Sequence, residues 1–276
     1  MTALHAPAVA IPLRLRSAAV LGVASLAGLA MFVWPLLVTV RVDQPTLQPP
    51  FVFLALLPIV IVVCLAEFTE GGMDAKVLAM LGVLTAINAV MRGLSAGMAG
   101  IELVFFLLIL GGRVFGPGFG FVLGCTSLFA SALLTAGVGP WLPYQMLASA
   151  WVGLGAGLLP RRCLGRAMTG RWEIAILVVY GVVAAYAFGL LMNMSSWPFA
   201  LGIAVPGHTG GLSFVPGDPI WENLHRFGVY TLLTSTGSWD TGRAITNTIA
   251  LVVLGPAILT TLRRAVRRAT VTRSES

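Results

Sequence analysis

Charge is what this chain of 276 residues has least of: Asp, Glu, Lys and Arg together make 10% of it. A soluble domain of this size carries roughly 25%, so an ordinary solvated surface is excluded. Lysine is nearly absent; Lys76 stands alone among 17 basic residues. The three cysteines, Cys64, Cys125 and Cys163, form no CxxC, which excludes a disulfide framework or a thiolate zinc site and reads as burial. The three histidines, His5, His208 and His225, are too scattered for a zinc motif. No GxxxxGK[ST] occurs, and neither "GPGFG" (116–120) nor "GLGAG" (153–157) is GxGxxG after a strand, so no nucleotide-binding loop is present. Also missing are a Ser/His/Asp set, HExxH, a carboxylate pair and charges at the centres of the apolar runs. Enzymes and proton-coupled transporters need such groups. No catalytic residue, cofactor or metal site is therefore expected, and the chain reads as a non-enzyme.

What is present is hydrophobicity: 58% apolar residues and a mean hydropathy of +0.93. A spanning helix needs about 20 apolar residues, and runs of that kind lie near 17–40, 51–68, 75–91, 100–114 (short, and interrupted by Gly111 and Gly112), 118–136, 143–160, 173–194 and 241–262. The fold class is an all-α membrane protein, a polytopic bundle of about eight transmembrane helices. The run 17–40 exceeds a signal peptide's h-region of about 7–15 residues, so it reads as a retained helix. The net charge of +7 sits in clusters flanking the apolar runs, which fits a lipid bilayer and not nucleic acid. With a cytoplasmic N-terminus and eight crossings, 13 of the 17 Lys and Arg fall inside and four outside: Arg41, Arg92, Arg226 and Arg243. Both termini are thus expected in the cytoplasm. The outer face then carries 92–100, 136–143 and 195–240, where glycine, proline, aromatic and polar residues concentrate.

Gly116, Gly120 and Gly124, and Gly153 and Gly157, recur at fourfold spacing, a pattern that lets helix backbones approach closely in lipid. Ala75, Ala79, Gly82 and Ala86 share one helix face, with two readings open: packing within the chain or docking on another membrane protein. Arg92 and Glu102 flank the first outer loop, either as an ion pair or interfacial charges, or facing a ligand. Arg113, at an inner helix end, needs no more than snorkelling to the membrane surface. "AGVGPWLPYQM" (136–146) breaks the backbone between two apolar runs and supplies Trp141, Tyr144 and Gln145. Membrane-interface belts account for Trp and Tyr, whereas an amide at a helix start suits a pocket. Trp197, His208, Asp218, Trp221, His225, Trp239 and Asp240 are further binding candidates in 195–240.

The stretch "AGIELVFFLLILGGRVFGPGFGFVLGCTSLFASALLTAGVGPWLPYQMLASAWVGLGAGLLP" (99–160) resembles the substrate-binding S components of energy-coupling factor (ECF) transporters, of an actinobacterial type. The resemblance implies a six-helix core, for which 75–262 supplies the length. Residues 1–74 are then an N-terminal extension with two helices and 263–276 a basic cytoplasmic tail. It implies an importer subunit of a bacterial plasma membrane that captures a vitamin or related micronutrient outside. Its partners would be a T component and two ATPase subunits. Ala75 and Ala79 match the AxxxA arrangement by which S components meet the T component, with Gly82 and Ala86 continuing the stripe. Substrate in the family lies under the outer loops after core helices one, three and five, here 92–100, 136–143 and 195–240. A large, partly apolar cargo suits the long aromatic outer segment, so a corrinoid such as cobalamin is favoured over riboflavin or a thiamine precursor. The alternative is a permease or accessory subunit of another ABC transporter, such as an exporter.

Overall fold

The computed structural model describes residues 11, 13–37, 60, 62–64, 66, 75–94, 100–163, 165–197, 211–215 and 217–271. Among the described residues the regular structure is helical apart from one hairpin of two-residue strands. In chain order the helices are α1 (Leu15–Leu37), α2 (Ala75–Leu94), α3 (Val104–Phe115), α4 (Pro117–Leu134), α5 (Leu142–Leu158) and α6 (Arg171–Ser196). After them come α7 (Ile220–Thr231), a π-helical segment (Leu232–Asp240), α8 (Thr241–Val253) and α9 (Gly255–Val271). The hairpin pairs β1 (Arg162–Cys163) with β2 (Arg166–Ala167), antiparallel, between α5 and α6.

The apolar runs become helices because a backbone in hydrocarbon must satisfy its own N–H and C=O groups. Among the described residues four helices are long and apolar enough to cross a membrane, α1, α2, α4 and α6, or five with the bent pair 220–253 and 255–267 taken as one span. The second expected helix, 51–68, lies largely outside the described residues, as do loop residues 95–99 and His208.

Three sequence expectations change. Within the connection expected over 195–240, residues 220–240 are helical and continue without a break into α8. The expected helix 241–262 bends by 64° near Leu254, and α9 runs on to Val271 through most of the segment expected as a tail. Gly111 and Gly112 do not interrupt α3, whose every residue is buried.

The core lies among α3, α4 and α5. Burial is nearly complete along α3 because neighbours surround it on every side, so its composition shows no polar face. α4 and α5 form the most extensive contact in the molecule. Its cause is the glycine series: a Cβ on Gly120 would strike the Gly153 carbonyl, and one on Gly153 would strike Gly120 in return. Close backbone approach maximises dispersion contact where lipid offers no hydrophobic drive. α1 packs on α5 through Gly28 against Leu147, and Trp151 donates to Ser25 Oγ at 2.9 Å.

By contrast Ala75, Ala79, Gly82 and Ala86 are all exposed, and a Cβ on Gly82 would meet nothing within 4 Å. The stripe is not used for packing among the described residues. Beside it a groove of about 590 Å³ runs between α2 and α9, lined by Lys76, Ala79, Met80, Val83, Leu84, Leu262 and Ala265.

Candidate functional site

One end of the bundle gathers the C-terminal turns of α2 and α4 with the start of α5. Arg92 stands in the last turn of α2. Its guanidinium donates to Ser131 Oγ of α4 and to Gln145 Oε1 of α5, each at 3.0 Å. It also faces the Glu102 carboxylate at 3.9 Å, both side chains about one-fifth exposed. Glu102 precedes α3 and is shared: Arg243 Nε of α8 donates to its second oxygen at 2.7 Å. Arg243 Nη1 reaches Asp240 Oδ1 at 3.1 Å, and Ser235 Oγ donates to Asp240 Oδ2 at 2.7 Å. The result is a chain of polar groups, Ser131 and Gln145 to Arg92, Glu102, Arg243, Asp240 and Ser235, across the end of the bundle.

Local structure explains each placement. Gly100 has φ +74° and lies so close to Gly242 that a side chain on either would collide, which brings Glu102 to α8. The Arg243 guanidinium lies over the Phe188 ring at 4.8 Å and the Phe105 ring at 5.5 Å, where cation–π attraction offsets part of its desolvation. Asp240 ends the π-helical segment, whose wider turn is a geometry frequent at functional sites. Its carboxylate occupies the space a Cβ on Gly189 would fill. Asn247 Nδ2 donates to the Glu102 carbonyl at 2.7 Å and holds the loop from behind. Two cations and two anions balance, so the network carries no net charge.

Of the sequence candidates, the structure brings together Arg92, Glu102, Gln145 and Asp240. The ion pair and the polar link to Gln145 are both present. Trp141 is exposed and folds over its own loop, its indole donating to the Gly137 carbonyl at 3.3 Å. Tyr144 is buried against α1, edge-on to Phe32 at 4.9 Å, with its hydroxyl 3.5 Å from the Met31 carbonyl. Trp197 is fully buried in a satellite cluster with Phe214 and Phe227, and its indole donates to the Leu212 carbonyl at 2.6 Å. Trp221 and Trp239 are exposed, and Asp218 pairs with Arg226 at 2.6 Å. None of these five aromatics makes a polar contact with the network. Sequence reasoning missed Arg243, Ser131, Ser235 and the rings Phe105 and Phe188. The available signal was Arg243 itself, a charge three residues after Asp240 on a helix face.

The opposite end holds a different network. Arg113 does not snorkel: it is fully buried, and its Nε donates to Glu173 Oε1 at 2.8 Å. Its Nη1 donates to the Leu159 and Pro160 carbonyls at 2.9 and 3.2 Å, capping the end of α5. Arg263 of α9 shares Glu173 at 2.6 Å. Arg161 donates to the Arg113 carbonyl; burial, and next the Arg113 charge, push its guanidinium down to about 10, so it stays charged at neutral pH.

Compared with known proteins, residues 76–272 match the family model of the ECF transporter, substrate-specific component. No curated protein and no solved structure matches the chain.

Proposed function

Since the chain belongs to the family of substrate-specific components of ECF transporters, we propose that it is the capture subunit of a vitamin importer whose Arg92 end faces the outside of a bacterial plasma membrane. Membership makes it a multi-pass membrane subunit of ECF-type uptake that works with a T component and ATPases on a small-molecule substrate. The observation that carries the reading is the network at the Arg92 end. It joins Ser131 and Gln145, on the two sides of loop 136–143, to Arg92 and Glu102, on the two sides of loop 92–100. Such a solvent-reachable polar cluster, positioned by rigid helices, is how binding residues are held.

The Arg113 end, with Arg161, Arg162, Arg166, Arg171 and the arginines of α9, faces the cytoplasm under the positive-inside rule. The exposed stripe Ala75, Ala79, Gly82 and Ala86, with the groove between α2 and α9, is the docking face for the T component. A smooth Ala/Gly surface admits a partner helix backbone closely. The capture reading is favoured over an exporter subunit because the family match covers α2 to α9. Cargo is a vitamin or related micronutrient, a corrinoid such as cobalamin ahead of riboflavin or a thiamine precursor.

The test is mass spectrometry of small molecules that co-purify with the chain from its native host. A stoichiometric vitamin is the expected result. A chain that is empty in repeated preparations, with no binding across a vitamin panel, would point to the exporter-subunit alternative.

A further inference from the structure

Beneath the Arg92 layer lies a second one. Residues four apart on a helix stack on one face, and each helix that meets at Arg92 carries a polar residue one turn deeper. These are Asn88 below Arg92 on α2, Ser127 below Ser131 on α4, and Ser149 below Gln145 on α5. All three are completely buried. Asn88 Oδ1 and Nδ2, Ser127 Oγ and Ser149 Oγ have no hydrogen-bond partner among the described residues.

Register is fixed by neighbouring contacts. Thr85 and Thr126 hydroxyls bond at 2.8 Å, which aligns α2 with α4 immediately below. A Cβ on Gly124 would strike the Ala150 backbone and the Ser149 carbonyl carbon, so α4 and α5 touch one turn from Ser127. The layer therefore has a satisfied lid in Arg92, Ser131 and Gln145. Its floor is the threonine pair and the glycine contact. Unpaired polar atoms at this depth are costly, and lipid supplies no partner.

Resting on the capture reading above, we propose that Asn88, Ser127 and Ser149 form the hydrogen-bonding subsite for an uncharged amide, imide or hydroxyl group of the cargo, which enters by displacing Arg92 from Ser131 and Gln145 and then accepts a hydrogen bond from the freed guanidinium. The chemistry selects the class. Asn88 offers two donors and an acceptor, and the two hydroxyls serve as either, which matches a neutral group that both gives and accepts hydrogen bonds. Among the described residues this layer holds no charge that would compensate a carboxylate or an ammonium. Above it, Arg92 and Arg243 are already balanced by Glu102 and Asp240.

The test uses the full chain in detergent with cyanocobalamin and riboflavin as neutral amide- or imide-bearing probes, biotin as a carboxylate and thiamine as a cation. A neutral probe is expected to bind the wild type. Asn88→Leu, and separately the double variant Ser127→Ala with Ser149→Ala, are expected to weaken that binding about tenfold or more. The ligand-free melting temperature should hold or rise, because an orphaned buried group is removed. Should Asn88→Leu fail to fold, the milder serine pair carries the test. Affinities within about twofold of wild type would overturn the subsite, leaving a layer that holds only water, while the capture reading stands. Binding of biotin or thiamine in place of a neutral probe would overturn the uncharged class. A wild type that binds none of the four would overturn the capture reading together with the subsite.

Discussion

The two ends of the bundle each invest in buried charge, and they do so differently. At the Arg113 end one carboxylate, Glu173, takes two guanidiniums, and the Arg113 and Glu173 side chains are 0% and 2% exposed. Arg113 Nη1 goes to two backbone carbonyls, so the ends of α3 and α5, the start of α6 and α9 are locked together, with one buried donor, Arg113 Nη2, left without a partner among the described residues. At the Arg92 end the ions alternate in a branched line, with Arg92 and Glu102 open to solvent, and an unsatisfied polar layer lies beneath. Isolated charge in a membrane protein is expensive and is retained when paired or functional. A sealed knot with every carboxylate contact short is a structural lock. An open line, whose Arg92–Glu102 member is held only at 3.9 Å, can be rearranged by something that binds.

The contrast breaks first if the lock is dispensable. Arg113→Ala leaves Glu173 buried with Arg263 alone and should destabilise the chain by about 3–5 kcal/mol. Loss of monodisperse protein, or a large drop in melting temperature in detergent, would show it. Next, Ala79→Trp fills the groove between α2 and α9 and should abolish uptake in cells while binding in detergent is intact. Retained uptake at normal expression would remove the docking role of the stripe. Third, Arg92→Ala should weaken cargo binding by roughly 10- to 100-fold, the range of a lost charge-assisted hydrogen bond. It should shift the melting temperature far less than Arg113→Ala, because its side chain is partly solvated. Smallest is Trp141→Ala: an exposed ring bonded to its own loop should change stability by no more than about 0.5 kcal/mol, read by thermal unfolding.

Much of the fold was legible because helices in lipid leave unambiguous apolar runs. Expected 75–91, 118–136, 143–160 and 173–194 became Ala75–Leu94, Pro117–Leu134, Leu142–Leu158 and Arg171–Ser196. Residues 220–240 escaped because Asn223, Thr231, Ser235, Thr236, Gly237 and Asp240 read as loop chemistry. Continuity with α8 and the wide π-helical turns override those local preferences. The site was half legible. Charge in an apolar chain singles itself out, so Arg92, Glu102 and Asp240 were visible, and Gln145 followed as an amide at a helix start.

Aromatic residues were the poorer guide. The apolar area that would suit a ligand equally suits α1, which takes Tyr144, or a satellite cluster, which takes Trp197. Arg113 carried the same ambiguity, since snorkelling and burial need the same residue and only the partner, Glu173, distinguishes them. Asn88, Ser127 and Ser149 were hidden for a further reason. One small polar residue in an apolar helix says little, and their meaning comes from the residue one turn above on each helix, which only the three-dimensional register reveals.

The most direct measurement is equilibrium binding of the small molecule that co-purifies with the wild-type chain, compared between Arg92→Ala and Arg263→Ala. Both arginines belong to ion networks, at opposite ends of the bundle, and both are partly exposed. The account predicts that Arg92→Ala loses affinity and Arg263→Ala keeps it. Equal affinities, or loss only in Arg263→Ala, would contradict the assignment of the Arg92 end as the capture site.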